Sequence, residues 1–98
     1  MEFEWDETKR QTNITKHGVD FIDAARVFEG VVLEIEDRRR DYGERRYRAL
    51  GLFNGRVLHV IYTWRQDRRR IISARRTNRH ERETYYAGFR RQIEEDEE

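Results

Sequence analysis

The stretch RRYRALGLFNGRVLHVIYTW, residues 45–64, decides the fold. Two runs rich in β-branched and aromatic residues flank Asn54-Gly55, and an Asn-Gly pair between such runs is the strongest short-range hairpin signal. The runs 45–53 and 56–64 are therefore expected to pair antiparallel. After the polar turn 65–68, residues 69–76 form a third strand of the same meander. Upstream, Val31-Val-Leu-Glu-Ile-Glu36 alternates from Val32 onward, placing Leu33 and Ile35 on one side and Glu34 and Glu36 on the other, as in an edge strand.

The flanking segments carry helix signals. Asp6 can cap a helix that runs to about His17 and stops at Gly18. Asp20 can cap a second, in which Phe21, Ala24, Ala25 and Phe28 share one face. A short strand at 3–5 precedes both. Downstream, Thr77 or Asn78 can cap a last helix, and Glu81 completes a capping box with Asn78. Tyr85, Tyr86, Phe89 and Ile93 recur at helical spacing on its packing face. The expected order is β-α-α-β-β-β-β-α, an α+β domain over 1–93 with helices against an antiparallel sheet, followed by an acidic tail at 94–98. That tail reads as a solubilising end, or as a strap over the basic face.

Charge is distributed unevenly. Net charge is only +1, yet residues 1–37 carry −6, residues 38–93 carry +12 and residues 94–98 carry −5. Nineteen of the 21 cations are arginine, the side chain suited to bidentate phosphate contacts and to stacking on bases. A polyanion or carboxylate partner follows. The chain has no cysteine, which excludes disulfides and thiolate-held metals and fits a reducing compartment, with cytoplasm the default. No apolar run is long enough to span a membrane. Carboxylates in the basic half are too scattered for a metal nuclease, so no metal site and no cofactor is expected.

What remains is arginine, aromatics and three histidines. Strand alternation puts Arg75 with Ile71 and Ser73, and Arg70, Ile72, Ala74 and Arg76 on the other face. Arg75, Arg76 and Arg79 stand where a strand meets a helix N-terminus, itself a phosphate-attracting position. Tyr62, Trp64 and Arg65 end the neighbouring strand and offer planes on which bases stack. His59 reads as a packed strand residue, whereas His17 and His80 can each act as general acid or base.

Taken in order, Phe3-Glu-Trp-Asp6, Asn13-Ile-Thr-Lys-His-Gly-Val-Asp-Phe21, Ala24-Ala25, Val27-Phe28, Asp41-Tyr-Gly-Glu-Arg45, Ile61-Tyr-Thr63 and Ile71-Ile-Ser-Ala-Arg-Arg76 resemble the BrnT family of bacterial type II toxins. The resemblance runs from about residue 3 to residue 86. It implies a RelE-like fold, metal-independent ribonuclease activity that inhibits translation, and a BrnA-like DNA-binding antitoxin that contacts operator DNA. By the same resemblance the Lys16-His17-Gly18 turn, Tyr62, Arg65, Arg75 and Arg76 are family motif positions, which makes Arg65, Arg75, Arg76, His17 and Tyr62 the candidate catalytic set and Lys16 an RNA contact; the strand-end and junction readings add Trp64, Arg79 and His80 as RNA contacts. Where the family has an acidic residue after Tyr-Thr, this chain has Trp64. Two other readings of the same basic face are a non-catalytic RNA- or DNA-binding module and a surface that only holds an acidic protein.

Overall fold

The computed structural model describes residues 2–96. Five strands form one sheet in the order β1-β5-β4-β3-β2. They are β1 (Phe3–Glu4), β2 (Val32–Asp37), β3 (Arg46–Phe53), β4 (Arg56–Arg65) and β5 (Arg68–Arg76). Strands β2 to β5 are the expected antiparallel meander, and β2 is an edge. Asn54 and Gly55 turn the β3–β4 hairpin with positive φ at both residues, 54° and 79°, the geometry an Asn-Gly pair supplies at low cost. The sheet is mixed rather than purely antiparallel, because β1 joins β5 in parallel through Phe3 and Glu4.

Helices α1 (Glu7–His17), α2 (Phe21–Ala25) and α3 (Arg79–Asp96) complete the fold. Asp6 and Asp20 cap α1 and α2 by accepting from the Lys9 and Ile22 amides, and Gly18 ends α1 at φ 69°. The second helix is shorter than its apolar spacing suggests. At Arg26–Glu29 the backbone tightens into a 3₁₀ turn, which buries Val27 completely beneath β3. A methyl group on Gly51 would stand 2.7 Å from the Val27 Cβ, so this approach depends on the glycine.

The two faces of the sheet are built differently. Phe21, Ala24 and Val27 meet Leu58, Val60, Ile71 and Ala74 on the first face, and this is the apolar core. On the second face α3 lies over β2 and β3, with Gly88 set tightly on Leu33 and the Tyr85 hydroxyl donating to the Val31 carbonyl at 2.9 Å. Cross-strand rows pass through each face. Leu33, Leu50, His59 and Arg75 are in register on the second; Val32, Gly51, Leu58 and Arg76 are in register on the first.

Simple alternation along β5 fails at one point. Ser73 pairs with Ile61, but Ile71 pairs with Tyr62, so Ile72 is the extra residue of a bulge. Ile71 consequently shares the core face with Ala74 and Arg76, not the face of Arg75 as unbroken alternation would have it. Beyond the bulge, the outer edge of β5 is completed by a side chain. Buried Asn13 donates to the Ala74 carbonyl (2.8 Å) and the Val19 carbonyl (2.8 Å) and accepts from the Ala74 amide (3.2 Å). Its amide stands in for a neighbouring strand and fastens α1 to the sheet. The acidic segment 94–98 lies only partly within the described residues, and there Glu94, Glu95 and Asp96 belong to the last turn of α3.

Candidate nucleic-acid interface and catalytic centre

The junction of β5 and α3 is set by the expected capping box. The Asn78 amide donates to Glu81 Oε1 at 2.9 Å, and the Glu81 amide donates to Asn78 Oδ1 at 2.8 Å. Glu81 also receives both terminal nitrogens of Arg75, at 2.9 and 2.8 Å. That bidentate guanidinium, more than the Asn78 amide, draws the Glu81 carboxyl down to about 2. Arg75 is thus pre-oriented with a carboxylate already engaged.

Arg76 faces the other way. It is exposed and lines a polar hollow with Gly18, Asp23, Asn54 and Arg56, on the helix side of the sheet. An adjoining hollow contains Arg56 and Arg76 again, with Thr77, Arg82 and Tyr86. Arg56 and Arg76 have no carboxylate partner among the described residues, and the Arg82 guanidinium donates only to the Thr77 carbonyl at 2.7 Å. Lys16 and His17 occupy the last turn of α1, immediately before Gly18. One end of the molecule therefore brings together Arg56 of β4, Arg76 of β5 and Arg82 of α3, with Asp23 in the adjoining wall.

On the second face, Leu33, Glu34, Ile35, Arg48, Leu50, His59, His80, Glu81 and Thr84 surround a hollow of about 330 Å³. His59 is 4% exposed, and its Nε2 has no hydrogen-bond partner. Burial, followed by the positive charge of Arg75, pushes the imidazole down to about 4, so it is neutral at neutral pH. An unsatisfied buried polar group ordinarily costs about 1–3 kcal/mol. Arg48 has no ion-pair partner among the described residues.

The opposite end of the sheet holds an aromatic cage. Arg69, 8% exposed, lies over Phe28 at 4.2 Å, Trp64 at 4.6 Å and Tyr62 at 5.1 Å from the ring centres. Tyr47 stacks on Tyr62 at 5.5 Å. The Tyr62 hydroxyl donates to Glu34 at 2.7 Å, and burial together with that bond raises it to about 12.

The candidates consequently fall into three groups. Arg76 lies on the helix side of the junction, and Lys16 and His17 end α1 just before Gly18, which shares a hollow with Arg76. Arg75 and His80 stand on its other side, with Arg79 projecting outward and paired with Glu83 at 3.0 Å. Arg65, Tyr62 and Trp64 are at the far end: Arg65 pairs with Arg68, roughly 20 Å along β5 from Arg75 at about 3.3 Å per residue. Arg65 and Arg75 do not converge on one phosphate. Nor do Arg75, Arg76 and Arg79, which point in three directions. Tyr62 differs from the expected surface aromatic, being 2% exposed while Trp64 remains open.

Sequence reasoning missed Arg69, Arg56 and Arg48. For Arg69 the signal was available, since it stands two residues before core-facing Ile71 and so shares its face. Arg56 and Arg48 gave none, because each looks like one more solvated arginine until the register brings it beside Arg76 or His59.

A family model described as ribonuclease toxin, BrnT, of type II toxin-antitoxin system matches residues 5–81. The chain belongs to the BrnT family. A crystal structure of the Brucella abortus ribonuclease toxin, BrnT, matches with a TM-score of 0.61 and 34% identity, over 81% of this chain and 99% of that one. No significant match was found among curated protein sequences. The BrnT match runs from Trp5 to Glu81, so it contains all of β2 to β5, the Arg75–Glu81 pair and the α1 turn at Lys16-His17, while β1 lies just before it. Most of α3 lies beyond it.

Proposed function

We propose that this BrnT-family chain is an endoribonuclease that works without a metal ion, inhibits translation and is neutralised by a BrnA-like DNA-binding antitoxin that contacts operator DNA. The observation that carries the reading is the cluster of cations lacking carboxylate partners at the β5–α3 junction, with histidines on two sides. Phosphate is the ligand such a cluster suits, and among the described residues no three histidines or carboxylates converge as metal ligands.

In the mechanism this arrangement supports, a ribose 2′-hydroxyl attacks its own phosphorus in line with the departing 5′-oxygen. Arg76, flanked by Arg56, stabilises the charge developing on the phosphoryl oxygens, and Arg75 holds the near edge of the site while anchored by Glu81. His17 or His80 removes the 2′ proton or protonates the leaving oxygen, since imidazoles exchange protons near neutral pH. Lys16 and Arg79 hold adjacent phosphates. Arg65 and Trp64, too far away for the chemistry, contact the RNA further along the chain, and Tyr62 supports Trp64 from below.

The test uses purified protein free of antitoxin. RNA is cleaved equally with and without EDTA, leaving 2′,3′-cyclic phosphate ends, and DNA, which lacks the attacking hydroxyl, survives. Arg76→Ala lowers the cleavage rate by about 10²-fold or more. Intact RNA, or equal cleavage of DNA, would sink the proposal. Growth arrest on expression, relieved by a BrnA-like protein, checks the translational and antitoxin parts.

A further inference from the structure

Apart from His80 and Glu81, the residues lining the hollow beneath the first turns of α3 are unused by the chemistry above, yet the hollow has the features of a ligand site. His59, 4% exposed, lines it, and the imidazole Nε2, sealed from solvent, has no hydrogen-bond partner among the described residues. Leu33, Ile35 and Leu50 supply apolar sides, and Ile35, on the edge strand, is 59% exposed. Arg48 sits across the strand from Ile35, and its planar guanidinium has no ion pair among the described residues.

We propose that this hollow takes one unpaired nucleobase of the RNA substrate and gives the enzyme its base preference. The inference rests on the ribonuclease reading and names a part of its substrate site. His59 Nε2 meets a ring edge, Arg48 stacks on the ring face, and the leucine and isoleucine side chains exclude water around it. A phosphate fits the hollow poorly. The Arg75 fork is occupied by Glu81, and two carboxylates, Glu34 and Glu81, lie in the lining. A flat ring with mixed donors and acceptors suits such a lining. The position is also apt: His80 is common to the hollow and to the first turn of α3, so a base seated there approaches the β5–α3 junction from the second face.

The experiment presents wild type, His59→Leu and Thr84→Phe with an RNA pool randomised around a single cleavable region, and sequences the cut ends. Wild type favours one base at a fixed distance from the cut by about tenfold, the scale of one recognition hydrogen bond. His59→Leu, which removes the polar atom but keeps an apolar side chain of similar bulk, brings the preference within about threefold while still cutting the disfavoured sequences. Thr84→Phe, on the exposed lip, raises KM with kcat little changed. An unaltered base profile in both variants overturns the proposal. So does an unaltered profile accompanied by weaker antitoxin binding, which would assign the hollow to a protein side chain. If wild type leaves RNA intact, the ribonuclease reading fails separately; titration with the four nucleoside monophosphates then decides the hollow. A saturable shift of the His59 ring resonances with one of them supports the pocket, and no shift with any of them overturns it.

Discussion

The two faces of the sheet put similar strands to different uses. On the first, Phe21, Ala24 and Val27 close over Val60, Ile71 and Ala74, and each of these six residues is no more than 1% exposed. On the second, the corresponding row is Leu33, Leu50, His59 and Arg75, with α3 covering only part of it. One face is filled by shape, the other is left with polar atoms and space. Packing is complete on the first face and incomplete on the second.

Four experiments break or sharpen that contrast. Phe21→Ala, on the filled face, should lose about 3–5 kcal/mol by denaturant unfolding, the cost of emptying a large buried aromatic site. On the open face the largest effect is one of pH. His59 holds its proton less tightly folded than unfolded, so the stability it contributes is complete above about pH 6.5 and falls as pH drops towards 4. The loss across that window is about 3 kcal/mol. In His59→Leu the slope disappears, leaving a lower window in which Glu81, held near 2 by Arg75, loses its stabilising effect as pH falls below about 4.5. Asn13→Ala, at the border between α1 and β5, should cost about 2 kcal/mol in unfolding experiments, since it strands a buried amide and carbonyl. Arg26→Ala, which removes an exposed pair with Glu29, should leave the melting temperature unchanged within error. A smaller loss for Phe21→Ala than for Asn13→Ala would overturn the view that packing outweighs polar clasps here.

Much of the architecture was legible because local chemistry and global fold agree. The Asn54-Gly55 turn, the Asp6 and Asp20 caps, the Gly18 stop and the Asn78–Glu81 box each act over four residues or fewer, so sequence spacing displays them directly. The bulge at Ile72 does not show this way. It arises from how β4 and β5 twist past each other, and it moves every side chain before it to the other face. The same limit explains the site. Arg75 and Arg76 are neighbours in sequence and belong to opposite surfaces, and the seizure of Arg75 by Glu81 requires a strand and a helix to meet. The tight 3₁₀ turn at Arg26–Glu29 was hidden because its apolar residues also satisfy helical spacing.

Asn13 has a consequence for how this molecule coexists with its own copies. By completing the hydrogen bonds of Ala74 it denies an incoming strand the upper margin of β5, while β1 occupies the lower one. The other margin, β2, carries Glu34 and Glu36, so a second β2 laid against it would bring carboxylates together. A sheet with one margin plugged by an amide and the other guarded by like charge resists growing into a fibril, even in a chain whose longest strands are rich in valine, isoleucine and leucine.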